Sequence, residues 1–438
     1  MTTLLWLRRD LRVHDHPALE AARAGADALV PVFCFDDRLL HGRHASGPRT
    51  QFMLECLADL DRSLRKRGSR LVVRHGRPER EIPRLARETH ATAVHVSPDV
   101  GPFARARDAR VGRALKIPFH EHPGLFVIDD LGGISTTTGD PYTVFTPFHR
   151  AWARRPRREM NGAPRSLPPL PQAVDAGRLP HLDDLGLRQE VEDPMPGGES
   201  HAREAMRAFL SVRVDRYDET RDLVAEPGAS RLSPYLHFGC LSPRELEHRA
   251  DSAAAFTRQL CWRDFYAHVL LHFPNNAHSE YQARYRGTID WSRAHKRFEA
   301  WCEGRTGYPL VDAGMRQLKR EGWMHNRARL VVASFLTKDL GIDWRWGERW
   351  FMRLLLDGDE ASNNGNWQWI ASVGVDPQPA FRRMFNPERQ QARFDPDGEY
   401  IRQYVSELRD DGGDYPEPIV DHARARQEAL ARYRRADG

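Results

Sequence analysis

The segment Thr306–Ser372 reads TGYPLVDAGMRQLKREGWMHNRARLVVASFLTKDLGIDWRWGERWFMRLLLDGDEASNNGNWQWIAS. It combines arginines with six tryptophans, and nine of the eleven tryptophans of the chain lie at or beyond Trp262. A tryptophan ring needs burial together with a partner for its indole N–H. Asp-Gly-Asp at 357–359 and Asn-Asn-Gly at 363–365 read as turns. We therefore expect aromatic chemistry or aromatic recognition in the C-terminal half.

Beyond Gly198, nearly every segment around this stretch has helical periodicity. The predicted helices are Glu199–Val212, Pro243–Ala254, Ala255–His272, Gly314–Arg320, Met324–Asp339, Trp346–Leu356 and His422–Arg435. The pattern therefore predicts an all-α domain.

The first part of the chain instead alternates helical stretches with short β-rich ones. The predicted strands are Thr3–Arg8, Ala28–Phe35, Arg70–Arg74, Ala93–Ser97 and Ile117–His122, with helices such as Thr50–Arg67 and Glu79–Thr89 between them. This alternation predicts an α/β fold with a Rossmann-like parallel sheet covered on both faces. Such sheets bind ligands at the carboxyl ends of their strands.

A Pro-, Arg- and Gly-rich region separates the two parts and predicts an extended connector over the surface. The predicted organisation is an α/β domain at residues 1–125, a linker at 126–197 and a helical domain at 198–438.

Composition excludes several classes of protein. A length of 438 residues, with 40% hydrophobic and 29% charged residues, is typical of a globular protein with two or three domains. The net charge of +5 is compatible with a polyanionic partner, although the arginine bias also fits genome composition. Five scattered cysteines without a C-x-x-C predict reduced thiols and no metal site. Without a leader or an apolar run of about 18 residues, we expect a cytoplasmic protein.

Long motifs in a fixed order carry a resemblance to a known family. They include LLWLRRDLRVHDHPAL at Leu4–Leu19, YTVFTPFHRAW at Tyr142–Trp152 and FNPERQQARFDPDGEYIRQYVSEL at Phe385–Leu408. The helical half adds SRLSPYLHFGCLSPRE, WRDFYAHVL, GWMHNRARL, DGDEASNNGNWQW and RRMFNP. The chain resembles the photolyase/cryptochrome family of flavoproteins, most of all its bacterial members that repair cyclobutane pyrimidine dimers. The resemblance implies a helical domain that binds a folded FAD non-covalently, and a lyase that splits dimers in UV-damaged DNA under blue light.

The resemblance assigns a set of flavin-binding residues. They are Tyr217, Ala229, Ser230, Arg231, Leu232, Ser233, Arg263, Asn326, Arg329, Asp357, Asp359 and Asn363. Arg329 is expected to form a bidentate pair with Asp357, Asp359 to bond the flavin ring, and Asn363 to face flavin N5. Without the family, the same residues read as a helix-capping turn, an ion pair between helices and a polar turn.

The resemblance also assigns the lesion site and an electron-transfer chain. Trp262, Trp369, Gln259, Asn326 and Asn363 would surround the reaction, and Trp367, Trp344 and Trp291 would pass electrons to the flavin. The DNA contacts would be Arg221, Gln259, Trp262, Arg327, Trp369, Arg382 and Arg383. Tryptophans often fill protein cores, and arginines often lie on solvent-exposed faces. A purely structural role therefore stays open for each of these residues.

The chain departs from the family pattern at several positions. Gln259 stands where dimer-repairing members usually have Glu, Leu330 fits neither repair group, and Ala229 replaces a usual Thr. Asn326 matches the dimer-repairing group. These departures keep open a blue-light receptor without repair activity and, taken without the family, a flavin electron carrier.

A second, antenna chromophore is also implied. The segment around Gly101, with Asp99 and Arg107 or Asp108, looks more like deazaflavin-binding than folate-binding members, although it also reads as an ordinary loop. We expect a monomer without an obligate protein partner.

Overall fold

The computed structural model describes residues 1–376, 378–409 and 414–437, and its first part is built around a parallel sheet of five strands. The strands are β1 Thr2–Leu7, β2 Ala28–Phe35, β3 Val72–His75, β4 Ala91–Val96 and β5 Phe119–Glu121, in the order β3-β2-β1-β4-β5. Helices Pro17–Arg23, Asp37–Leu40, Gly47–Arg65, Pro78–Glu88 and Pro102–Ala114 alternate with the strands. The sheet therefore confirms the predicted α/β architecture.

The second part is helical. Its α-helices are Glu199–Val212, Tyr217–Thr220, Ser233–His237, Pro243–Arg249, Ala254–His272, His295–Glu303, Pro309–Glu321, Asn326–Ser334, Trp344–Leu354, Glu360–Ala371, Pro387–Phe394, Glu399–Tyr404 and His422–Asp437. Short 3₁₀ turns are Asp183–Leu185, Pro274–Ala277, Ala283–Tyr285, Ala380–Arg383 and Ser406–Leu408. None of the helices in the described ranges has the length and apolar character of a membrane span.

One local expectation was wrong. Asn-Asn-Gly at 363–365 is not a turn but part of the helix Glu360–Ala371, which begins where the side chain of Asp359 accepts a hydrogen bond from the backbone N–H of Ser362. The helix tolerates Gly365 because a Cβ there would lie 2.1 Å from the ring of Tyr266. Close packing thus outweighs the turn propensity of the sequence.

The region 126–197 contains the helix Phe145–Ala153, which lies ahead of the Pro-, Arg- and Gly-rich stretch 154–177, and that stretch forms no helix or strand. Phe148 and Trp152 of this helix are buried, and the Trp152 indole donates to the carboxylate of Asp264 at 3.0 Å. The predicted boundaries of the linker stay a prediction, but part of it belongs to the packed body.

The two domains share one hydrophobic cluster. Phe52 of the helix Gly47–Arg65 packs against Tyr235 and Phe238 of the helical part, with ring centroids 5.5 and 5.7 Å apart. Beyond the carboxyl end of β1, Arg9 Nε donates to the carbonyl of His237 and the N–H of Leu11 to that of Phe238, each at 3.0 Å, so loops from both domains meet there.

Candidate active site

A cavity of about 290 Å³ in the helical domain, which we call the flavin cavity, brings together most of the predicted site residues. Those that line it are Tyr217, Arg221, Ala229, Ser230, Arg231, Ser233, Gln259, Arg263, Asn326, Arg329, Asp357, Asp359, Asn363 and Trp367. They come from distant parts of the chain, so the fold alone makes them neighbours.

The pair of Arg329 and Asp357 forms as expected, but through a single hydrogen bond. Arg329 Nη2 donates to Asp357 Oδ2 at 2.8 Å, whereas Arg329 Nε donates to the carbonyl of Met324 at 2.9 Å. The expected bidentate geometry is absent, because only Nη2 of the guanidinium donates to the carboxylate. Ser233 Oγ also donates to Asp357 Oδ2, at 2.5 Å.

The other carboxylate oxygen, Asp357 Oδ1, is buried and has no hydrogen-bond partner among the described residues. A buried acceptor left unpaired is costly, so it suits a site where a ligand supplies the donor. The ring and ribityl groups of a flavin offer such donors, and the residues of the cavity therefore fit FAD.

Asn363 lies in the first turn of the helix Glu360–Ala371, and its Nδ2 donates to the carbonyl of Glu348 at 3.1 Å. Asn364 Nδ2 donates to the carboxylate of Glu348, also at 3.1 Å. Glu348 thus fixes the amide of Asn363 against the cavity. No motif or spacing in the sequence predicts this role of Glu348.

The predicted phosphate-binding segment 229–233 precedes the short helix Ser233–His237. Arg231 has a positive φ of 56°, pairs with Glu321 at 2.6 Å and packs on the ring of Trp323. Leu232 is buried in the core and does not line the flavin cavity. Arg231 and Leu232 therefore stabilise the turn that precedes the helix Ser233–His237.

Tyr217 packs edge-on against Phe209 and Phe256. Burial raises the pKa of its phenol to about 12, so it is a neutral hydrogen-bond donor at physiological pH.

Trp262 and Trp369 lie outside the lining of the cavity. Trp262 is half-buried and stacks on Phe145, with ring centroids 3.6 Å apart and planes within 2°. Trp369 donates from its indole to Asp376 at 3.2 Å and carries the guanidinium of Arg383 over its ring at 4.3 Å.

The predicted DNA-contacting arginines fall into two groups. Arg383 is buried and donates to the carbonyl of Trp369 and to Asp376, so it supports Trp369 from inside instead of lining an exposed rim. Arg382 is exposed. Arg221 and Arg327 pair with Asp218 and Asp222 at 3.2 and 2.9 Å.

The three predicted electron-transfer tryptophans differ in burial. Trp367 is buried and lines the flavin cavity, Trp344 is fully buried, and Trp291 is half-buried and packs edge-on against Tyr433. This order, from the cavity wall outward, suits stepwise transfer toward the surface, and the role itself stays a prediction.

Two residues that sequence reasoning missed complete the cavity wall. Arg9 Nη2 donates to Asp359 Oδ2 at 2.6 Å, and Arg9 Nε donates to the carbonyl of His237 at 3.0 Å. Burial raises the pKa of Asp359, but the charge of Arg9 outweighs it and the net shift is downward. The signal for Arg9 was its place directly after the first strand, at the carboxyl edge of the sheet.

Comparison with known proteins decides the family. Residues 3–172 match the family domain described as DNA photolyase, and residues 256–412 match the FAD binding domain of DNA photolyase. The chain belongs to the DNA photolyase family. It is 41% identical to a deoxyribodipyrimidine photo-lyase of Halobacterium salinarum, over 99% of both chains. The predicted family and the FAD-binding domain are thereby confirmed.

Solved structures agree with the fold. A bacterial class III photolyase from Agrobacterium tumefaciens matches 100% of this chain and 98% of its own, with a TM-score of 0.90 and 34% identity. A Synechocystis cryptochrome matches 99% and 98%, with a TM-score of 0.89 and 30% identity. An archaeal photolyase from Sulfolobus tokodaii with two FAD molecules matches 99% and 100%, with a TM-score of 0.87 and 34% identity.

Proposed function

We propose that this protein is a deoxyribodipyrimidine photo-lyase, which repairs cyclobutane pyrimidine dimers in UV-damaged DNA under blue light. The observation that carries the proposal is the flavin cavity itself. It combines the unpaired acceptor Asp357 Oδ1, the fixed amide of Asn363 and the buried indole of Trp367. When bound, FAD supplies the light-driven electron that splits the dimer.

The residues of the chain would bind and orient the cofactor. Arg329 and Ser233 hold the carboxylate of Asp357 so that its free oxygen accepts from the flavin ring. Arg263 would face the cofactor phosphates, because its guanidinium donates only to backbone carbonyls among the described residues and has Asp264 4.0 Å away. Tyr217 donates as a neutral phenol. The surrounding core excludes water from the reacting groups.

The lesion would enter beside Gln259 and Asn326, which both line the flavin cavity. Trp262 and Trp369 would frame the flipped-out pyrimidines, each held by a partner already described. Arg221, Arg327 and Arg382 would contact the DNA phosphates, whereas Arg383 would position Trp369.

Illumination of the FAD-loaded, reduced protein with a dimer-containing oligonucleotide tests the proposal. Blue light should remove the dimer, and a sample kept in the dark should retain it. Persistence of the dimer although the flavin responds to light would refute repair.

That result would instead favour a blue-light receptor. Gln259 and Leu330 support this second candidate, because both depart from the dimer-repairing pattern and both line the flavin cavity. The similarity to the Synechocystis cryptochrome adds to it.

We also propose a second chromophore in a pocket of about 600 Å³ between the two domains, which we call the inter-domain pocket. It lies at the carboxyl ends of the strands, where Trp6, Asp36 and Asp99 line it with Phe103 and Arg107. A deazaflavin fits the mixture of aromatic and charged walls. Chromatography of the pigments released from the purified protein identifies it, and a preparation with FAD alone would contradict it.

We propose a cytoplasmic monomer. The five cysteines are free and buried, as in proteins of a reducing compartment. Light scattering coupled to gel filtration should give a mass near 50.3 kDa, and a dimer mass would refute the monomer.

A further inference from the structure

The flavin cavity and the inter-domain pocket share a wall. Arg9, His237, Arg263 and Asp359 line both of them. Asp99, by contrast, lines only the inter-domain pocket. A substitution or movement of any of these four shared side chains therefore alters the walls of both cavities.

A continuous chain of ion pairs crosses this wall. Asp99 Oδ2 accepts from Arg9 Nη1 at 3.2 Å, and Arg9 Nη2 donates to Asp359 Oδ2 at 2.6 Å. Asp359 Oδ1 in turn accepts from the backbone N–H of Ser362 at 2.8 Å and so caps the helix Glu360–Ala371.

The far end of the chain belongs to the flavin cavity. The helix Glu360–Ala371 carries Asn363 and Trp367, and both line that cavity. Asp99 comes from the loop after β4, in the other domain. A residue of the first domain is thus connected through two hydrogen-bonded ion pairs to the residues that would hold FAD.

All three groups of the chain are held in their charged forms. Burial lowers the pKa of Arg9, but Asp99 and Asp359 outweigh it and the net shift is upward. Burial raises the pKa of Asp99, yet Arg9 brings the net shift below the ordinary value. When one partner of a buried ion pair is lost, the remaining charge is left uncompensated, so the remaining contacts rearrange.

We propose that the two cavities are energetically coupled through the chain Asp99–Arg9–Asp359, so that a ligand in the inter-domain pocket tightens the hold on FAD. This inference rests on the proposed function, because it needs FAD in one cavity and a second ligand in the other. A ligand that covers Asp99 and Arg9 removes water from their exposed side, and a lower local dielectric strengthens their attraction. Arg9 is then held more firmly against Asp359 and the cap of the flavin-binding helix.

A matched pair of substitutions tests the coupling without any second ligand. Asp99→Asn keeps the shape of the side chain but removes its charge from the chain. The control is Asp59→Asn, because Asp59 is a buried aspartate of the same domain that pairs with Arg62 at 2.9 Å and lines neither cavity. The measurement is the rate of FAD release from the loaded protein at raised temperature, followed by the increase in FAD fluorescence. Melting curves by circular dichroism accompany it.

Asp99→Asn should release FAD at least about fivefold faster than wild type, since couplings between sites are commonly about 5- to 150-fold. Asp59→Asn should release it at the wild-type rate. Equal release from Asp99→Asn and wild type would overturn the coupling, and so would an equal acceleration in both variants.

A second arm uses a 5-deazariboflavin as the probe. At saturation, the probe should slow FAD release from the wild-type protein at least about fivefold. It should leave the release rate of Asp99→Asn unchanged. A purely structural role of Asp99 would not produce this difference between the two proteins. Binding of the probe with an unchanged release rate would overturn the coupling and leave the second chromophore intact. Failure of the probe to bind would refute the deazaflavin proposal, and the aspartate pair would then decide the coupling alone. The wild-type arm decides if Asp99→Asn unfolds early.

Discussion

Replacement of Gly347 by alanine should destabilise the protein and disturb the wall of the flavin cavity. Gly347 lies inside the helix Trp344–Leu354, where alanine normally stabilises by about 0.5–1 kcal/mol. A Cβ at this position would lie 2.1 Å from Cη2 of Trp367 and 2.6 Å from Cδ2 of Leu336. The sign of the effect therefore depends on whether Trp367 can move.

The packing around Trp367 prevents an easy shift. Its ring is buried, with the centroid of Phe351 5.0 Å away and that of Trp301 6.3 Å away. Ordinary contacts begin near 3.4 Å, so the ring would have to move by roughly 1 Å into these neighbours. Overpacking of this kind costs about 1–3 kcal/mol. After the gain in helix propensity, we expect a net loss of about 1 kcal/mol for Gly347→Ala.

The matched control is Gly112→Ala, in the helix Pro102–Ala114. There the new Cβ would meet only the ring of Phe119, at 3.7 Å, which is an ordinary contact. Thermal unfolding of the FAD-loaded protein should show Gly347→Ala about 2–4 °C below wild type and Gly112→Ala slightly above it. Flavin release should also be faster in Gly347→Ala, because Trp367 lines the cavity. A melting temperature for Gly347→Ala equal to or above that of wild type would show that the reasoning about Trp367 is wrong.

Three further predictions concern the site and the charges of the fold. Arg329→Lys keeps the charge but loses the planar donors that reach Met324 and Asp357, so FAD release should be about tenfold faster in the same fluorescence assay. Asn363→Cys should change which flavin redox form persists after illumination; an absorbance decay identical to wild type would remove Asn363 from the N5 position. Burial lowers the pKa of His16 and of His268 to about 4, so below pH 6.5 the unfolded chain binds protons that the folded chain does not. The free energy of unfolding, measured in urea, should therefore fall by about 1.4 kcal/mol per histidine for each pH unit as the pH is lowered from 6.5 to 4. His268→Gln should lessen that slope.

Much of the fold follows from the periodicity of the sequence. The helix Glu199–Val212 is predicted with its observed ends, and the five strands are shifted by only a few residues. The predicted helix Met324–Asp339 begins at Asn326, because His325 accepts from the N–H of Arg327 as a cap, and it continues into a π-helical segment at Phe335–Asp339. Caps and π-turns depend on single hydrogen bonds, and hydrophobic spacing does not encode these.

The candidate site was predictable where its residues follow one another in recognisable motifs. The Arg329–Asp357 pair formed, although through one hydrogen bond and not in the bidentate form. Local sequence could not show that Arg383 is buried, because the exposed Arg382 and the buried Arg383 stand side by side in the motif RRMFNP. Its buried position depends on its hydrogen bonds to Trp369 and Asp376, which form only in the folded protein.

The missed residues share a physical reason. Arg9 and His237 come from distant parts of the chain, and they meet the predicted Asp359 only in the folded protein. They acquire a function only because the carboxyl edge of the parallel sheet closes against the N-terminus of the helix Glu360–Ala371. A motif records which residues lie next to each other along the chain, whereas a wall between two cavities depends on contacts between domains. The contacts at the junction of the domains are therefore the part of the site that the sequence predicts least. Substitutions such as Asp99→Asn test these contacts directly.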